Sequence, residues 1–168
     1  TKALSTSAEL RPKNDVPGIE SLNAGLQNLA KAFDGEWGGF GQAPKFPTPS
    51  HLELMLRAYM TNAGDGPKRI IETTLDAMAS GGMYDHIGGG FARYSTDREW
   101  LVPHFEKMLY DQALLLGIYV KGLIVIGRPD WRLVIEETIT YVLDELRHPD
   151  GGFYSAQDAD SLGPDGAS

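Results

Sequence analysis

Residues 100–127 read "WLVPHFEKMLYDQALLLGIYVKGLIVIG", and the organisation of the whole chain turns on how this segment is read. Pro103 is a favoured first helical position. The reading therefore opens a helix there, with His104, Glu106 and Lys107 in its first turn, and closes it at Gly127. On such a helix His104, Lys107, Met108 and Asp111 share one face. Beyond Gln112 the segment is apolar on nearly every side, which places it inside a core. The next helix, from about Pro129 to His148, has a different character. Val134, Ile135, Ile139, Val142, Leu143 and Leu146 form one stripe, opposite Arg132, Glu136, Glu137, Asp144 and Glu145. It belongs half in solvent.

Three helices precede these. The first runs from about Pro17 to Asp34 on the spacing of Leu22, Leu26, Leu29 and Phe33. The second starts near Ser50, with Glu53 three residues on, and ends before Gly64. The third opens at Pro67 and ends at Gly81 and Gly82. Short turns join helices two to three and four to five. Long loops follow helices one, three and five, and each contains Gly-Gly-Phe, at residues 38–40, 89–91 and 151–153. A recurring helix pair with the same loop chemistry marks a repeat architecture. Buried helices alternating with half-exposed ones suggest two concentric layers. The expected fold is all-α, an α/α toroid of the six-hairpin type, with the Gly-Gly-Phe loops at one end. A plain bundle or solenoid is the alternative. Helices two and four should then be more buried than one, three and five.

By this reading residues 1–16 are a polar tail or linker. Residues 17–168 are a partial toroid, about its first half, cut in the loop "SLGPDGAS". Such a piece leaves open apolar edges, through which self-association is expected.

Composition narrows the function. The chain has 168 residues, a net charge of -8 and no cysteine. The acidity argues against nucleic acid and anionic membrane surfaces. Disulfides, thiol catalysis and thiolate metal sites are excluded within the segment. The apolar run Ala113 to Ile126 is interrupted by Lys121 and reads as too short for a bilayer. With no signal peptide visible, a cytoplasmic location is expected. Nucleotide-binding and serine-hydrolase motifs are absent. Asp158-x-Asp160 lacks the rest of a calcium loop, so neither a metal nor a cofactor is expected.

The unusual side chains gather in the long loops. Aromatic rings beside carboxylates and amides suit a polyhydroxylated ligand: rings stack on C–H faces while Asp, Gln and Arg bond hydroxyls. Trp37, Tyr94 and Trp100 are the candidates for stacking, with His86, Arg93, Glu106, Lys107, Asp111 and Asp160 as further binding residues. His104 is the candidate acid or base, with Asp85 or Asp158 as its partner. The plain alternative is that the aromatics pack loops onto helix ends, the glycines make turns and His104 caps a helix.

The stretches "GGFGQAPKFP", "GGMYDHIGGGFARYSTDREWLVPHFEKMLYDQA" and "DGGFYSAQDADS" resemble the thioredoxin-domain-containing family that includes bacterial YyaL and a mammalian spermatogenesis-associated protein. The match runs from about Gly35 to Ser161. The resemblance implies a helical toroid similar to N-acylglucosamine 2-epimerases and six-hairpin glycosidases, preceded in the family by a thioredoxin-like domain. It implies Asp85, His86, Arg93, His104, Glu106, Lys107, Asp111, Asp158 and Asp160 as pocket residues, without assigned roles. The expected function is thus a sugar-active toroid, epimerase-like or glycosidase-like, acting on a carbohydrate or other small polar substrate. The alternative is a non-catalytic binding or scaffold domain that supports the thioredoxin-like domain.

Overall fold

Proline punctuates this chain. Pro49 and Pro67 each sit in the first turn of a helix, where no N–H is needed. A computed structural model describes residues 18–61 and 63–160. The tail expected over residues 1–16, and the end of the third loop beyond residue 160, lie outside them. The helices are α1 (Ile19–Ala32), α2 (Pro49–Met60), α3 (Gly66–Ser80), α4 (Leu109–Ile126) and α5 (Arg132–Tyr141). A 3-10 turn, Pro129–Trp131, precedes α5, and a π-helical turn, Val142–Leu146, prolongs it. Four two-residue strands decorate the loops: β1 (Tyr94–Ser95), β2 (Pro103–His104), β3 (Lys107–Met108) and β4 (Ala156–Gln157).

The fourth helix departs from expectation. It opens at Leu109 rather than Pro103. Residues 103–108 are extended because their backbone pairs sideways: Pro103 and His104 with Ser95 and Tyr94, Lys107 and Met108 with Gln157 and Ala156. A proline at residue 103 serves a strand edge as readily as a first helical turn.

α2 and α4 lie side by side. α3 packs on α2, α5 on α4, and α1 on the outside of α2. Leu52, Met55, Leu56, Ile71, Leu75, Met78, Leu115, Ile118 and Tyr119 fill the space between them. The expected ranking of burial is not what the structure has. α3 buries Ile70, Ile71, Thr74, Leu75 and Met78, as deep a set as that of α2. α4 is not enclosed all round: Leu114, Val120 and Ile124 are exposed. By length and composition α4 is apolar enough to cross a bilayer, contrary to the sequence reading, but a third of it is buried in this layered core.

The three glycine loops are tied in series. Lys45 pairs with Ser95, linking the first loop to the second, and β3 pairs with β4, linking the second to the third. They therefore share one end of the fold. Gln112 clamps the second loop to α4, accepting from Phe91 N–H (2.8 Å) and donating to Phe91 O (2.7 Å). At the opposite end Arg128 and Trp131 both bond Asp76 of α3 (2.8 and 2.7 Å), locking the α4–α5 turn.

Each Gly-Gly-Phe turn repeats one backbone pattern. Phe33 bridges Phe40, Tyr84 bridges Phe91 and Arg147 bridges Phe153. Both glycines have positive φ in every copy, a region that side chains resist. In the first two copies the second glycine also makes room for an aromatic ring. A Cβ on Gly39 would stand 2.5 Å from Trp100, and one on Gly90 2.6 Å from Tyr141, whereas Gly152 has open space. Gly152→Ala should therefore cost only the backbone strain, about 1 kcal/mol. Gly90→Ala should cost at least about 3 kcal/mol, strain plus a clash in the core. Urea denaturation of both variants checks the difference, and equal losses would contradict the packing described.

Candidate functional site

Two of the glycine turns are built on the same ion pair. Asp34 Oδ1 accepts the N–H groups of Glu36 and Trp37 (3.1 and 3.2 Å), and Asp85 Oδ1 those of Ile87 and Gly88 (both 2.9 Å). Each carboxylate meets a lysine: Lys45 on Asp34 at 2.9 Å, Lys107 on Asp85 at 2.7 Å. Each ammonium also donates to the first glycine's carbonyl, Gly38 at 2.7 Å and Gly89 at 2.9 Å. Each lies near an aromatic face, Trp100 for Lys45 and Tyr141 for Lys107. Burial raises the carboxyl pKa values, but the hydrogen bonds more than offset it. Asp34 falls well below its ordinary range through Arg98, Lys45 and two backbone donors, and Asp85 falls to about 2 through Gly88, Lys107 and Ile87.

This arrangement revises several expectations. Trp100 is fully buried, with its Nε1–H on Trp37 O (2.8 Å); its ring roofs Gly39 and Lys45 and has no face left for a substrate. Lys107 is buried in its ion pair. Trp37 is half-buried, and Tyr84, against the second turn, donates to Glu137.

The extended run 103–108 then sorts the remaining candidates, because alternate residues on a strand face opposite ways. Pro103, Phe105 and Lys107 line a pocket of about 310 Å³ together with Met83, Asp85 and His86. His86 Nε2 lies 2.9 Å from Gly81 O. His104 and Glu106 belong to the other side and are absent from that lining. The helical face that grouped His104 with Lys107 does not exist, and His104 does not line the pocket that Asp85 and Lys107 share.

On its own side His104 enters a different cluster. Its ring stacks on Tyr94 (4.8 Å), which stacks on Phe46 (4.8 Å). Its Nε2 lies 3.8 Å from Glu106 Oε2, which accepts from Arg93 Nη1 at 2.7 Å. Asp111, in the first turn of α4, is 5% exposed, and its Oδ2 has no hydrogen-bond partner among the described residues. Burial raises its pKa to about 6; Arg93 pulls it down and Glu106 pushes it up. A buried carboxyl with a pKa raised to about 6, beside a glutamate that also approaches a histidine, is a usable acid or base. Asp158 and Asp160 are exposed in the third loop, where Asp158 Oδ1 accepts Asp160 N–H at 3.3 Å. That bend undoes the extended geometry in which their side chains were read as parallel. Among the described residues no group of three or more His, Asp or Glu is placed to hold a metal.

Asp34, Lys45 and Arg98 were not among the sequence candidates. Only Asp34 had a signal: an aspartate stands four residues before Gly-Gly in both "DGEWGG" and "DHIGGG".

No family model matches the chain. Among curated proteins it is 44% identical over 150 residues to spermatogenesis-associated protein 20 of Rattus norvegicus, covering 86% of this chain and 19% of that protein. The Homo sapiens counterpart is 46% identical over 143 residues, 83% of this chain and 18% of the relative. The chain thus spans about a fifth of the length of these relatives. Among solved structures it resembles a sugar epimerase from a ruminal bacterium (TM-score 0.71, 18% identity, 84% of this chain, 40% of the other) and the cellobiose 2-epimerase of Spirochaeta thermophila (0.71, 20%, 84% and 39%). A D-mannose isomerase follows (0.66, 14%, 86% and 41%). The all-α toroid fold and the resemblance read in the glycine loops are both borne out.

Asp111 supplies a pH test. Its folded pKa, about 6, exceeds the ordinary 3.8, so the stability its protonated form confers is present below pH 4 and is lost as pH rises through 6. Asp111→Asn should stabilise the chain at pH 7, by up to about 3 kcal/mol, and hardly at all at pH 4. Denaturation at the two pH values measures it; an equal effect at both would remove the perturbed carboxyl.

Proposed function

We propose that this chain, which over most of its length matches a segment of spermatogenesis-associated protein 20, contributes one wall of a sugar-active α/α toroid in a longer, thioredoxin-domain-containing protein. The reaction class is proton transfer on a carbohydrate, epimerase-like or glycosidase-like. The observation that carries this reading is the cluster at the mouth of α4: buried Asp111, with an oxygen that has no partner among the described residues and a pKa near 6, beside Arg93 and Glu106, the latter 3.8 Å from His104. The fold likeness to sugar epimerases supports it.

In this reading His104 and Asp111 move protons, Arg93 and Glu106 hold hydroxyl groups, and Tyr94 offers a ring edge beside them. Asp85 and Lys107 hold the loop in place. Asp158 and Asp160 face outward from the third loop, toward substrate. The domain serving as a non-catalytic scaffold is the rival reading, favoured by how many of the loop side chains are spent on each other.

The test uses the longer protein in deuterated water with a panel of reducing aldoses, N-acylated amino sugars and simple glycosides. Proton NMR should show solvent deuterium entering at the carbon beside the carbonyl, or release of a sugar from a glycoside. His104→Ala and Asp111→Asn should each slow turnover by about 10²–10⁴-fold. No exchange and no hydrolysis across the panel, in a folded protein, would leave the scaffold reading standing.

A further inference from the structure

The two lysine-centred turns differ in one respect. At the first, Arg98 completes the site. Its Nε and Nη2 grip both oxygens of Asp34 (2.6 and 2.8 Å), and its own main-chain carbonyl accepts the third hydrogen bond of Lys45 Nζ (2.9 Å). One arginine residue thus fills a cationic position on the carboxylate and an acceptor position on the ammonium.

At the second turn both positions are open among the described residues. Asp85 Oδ1 accepts Ile87 and Gly88 N–H and Oδ2 accepts Lys107, with no guanidinium on either. Lys107 Nζ makes two hydrogen bonds where Lys45 makes three. Asp85 and Lys107 both line the pocket of about 310 Å³, whose other walls include Phe105, Ile87, Pro103 and Ala92. Ile87 is fully exposed and Phe105 is 69% exposed. Such walls suit the methylene stem of a long cationic side chain.

The chain's own register does not fill the vacancy. Ser95, paired with Lys45, is followed three residues later by Arg98. Gln157, paired with Lys107, is followed three residues later by Asp160, which is exposed. The position that carries the cation in one repeat carries an anion in the next.

We infer that this pocket binds an arginine residue of an extended peptide segment, its guanidinium bidentate on Asp85 and its main-chain carbonyl on Lys107 Nζ. The fork of donors matches a carboxylate in a way that an ammonium does not. The segment comes from elsewhere in a longer chain or from a separate protein, and a peptide added in trans reads the recognition chemistry common to both. The inference stands apart from the sugar-active reading, since it rests on Asp85 and Lys107 and not on His104, Asp111, Arg93 or Glu106.

The experiment is a titration of the isotopically labelled 168-residue chain with the blocked tripeptide Ala-Arg-Ala, followed by amide NMR, with dispersion of the spectrum confirming the fold. Saturable shifts are expected at Ile87, Gly88 and Gly89. The citrulline and lysine versions of the peptide should bind roughly tenfold more weakly or not at all. Asp85→Asn, which keeps an acceptor for the two backbone N–H groups, should abolish the shifts. Phe105→Ala, at an exposed position, should weaken them several-fold and decides the matter if Asp85→Asn fails to fold. No saturation by concentrations on the order of 10 mM, equal binding of the citrulline peptide, or unchanged binding by Phe105→Ala would each overturn the inference. The same shifts with glucosamine but not with the arginine peptide would assign the pocket to a small amine instead.

Discussion

A lysine ammonium buried inside a glycine turn is the constraint on which the loop end of this protein depends. The first two turns each fold the first glycine's carbonyl inward, and a buried carbonyl needs a donor. Lys45 and Lys107 supply it, and Asp34 and Asp85 neutralise the charge that is thereby taken out of water. Burying such a pair brings little net stability, but removing one partner strands the other and costs about 3–5 kcal/mol. The pair therefore acts as a specification: the turn closes only when the lysine, arriving from 11 or 22 residues downstream, has been brought home. The aromatic rings of Trp100 and Tyr141 seal the arrangement, and the glycines are small because those rings stand against them.

Bringing the lysine home also decides the conformation of the stretch that carries it. Lys107 sits on β3, tied to Gln157 on one side and to Asp85 on the other. A helix from Pro103 would have swung it away from both. The extended backbone sends alternate residues to opposite sides, so Phe105 and Lys107 face one pocket while His104 and Glu106 join Arg93 and Tyr94. Two chemically distinct places arise from six residues. One is a carboxylate–ammonium pair with apolar walls, the other a histidine, glutamate and arginine next to a buried aspartate.

α4 connects these places to the core. Its first turn holds Asp111 and Gln112, both buried, and the amide of Gln112 fastens the second glycine loop to the helix. Further along, Tyr119 stacks on Phe91 and bonds Leu75 O, so the same helix reads the loop and α3 together. Leu114, Val120 and Ile124 of the same helix are left exposed among the described residues.

Apolar spacing, first-turn prolines and Gly-Gly-Phe are local signals carried within a few residues, and they sufficed for five helices, the all-α class and the repeat, but not for the start of α4 or the ranking of burial. The sequence by itself also placed the chemistry in the long loops, and the loop motifs sufficed for the resemblance. Tertiary structure alone decided what those side chains do. Pro103 permits a helix start and a strand alike, and the choice was made by partners at residues 94, 95, 156 and 157, beyond the reach of local periodicity. Trp100 and Lys107 looked like ligand contacts by type, but their neighbours are Gly39, Lys45, Asp85 and Gly89. Arg98, invisible as a site residue in the sequence, is bonded to an aspartate 64 positions away. Charge pairing and burial depend on distance in space, and only the folded chain sets that distance.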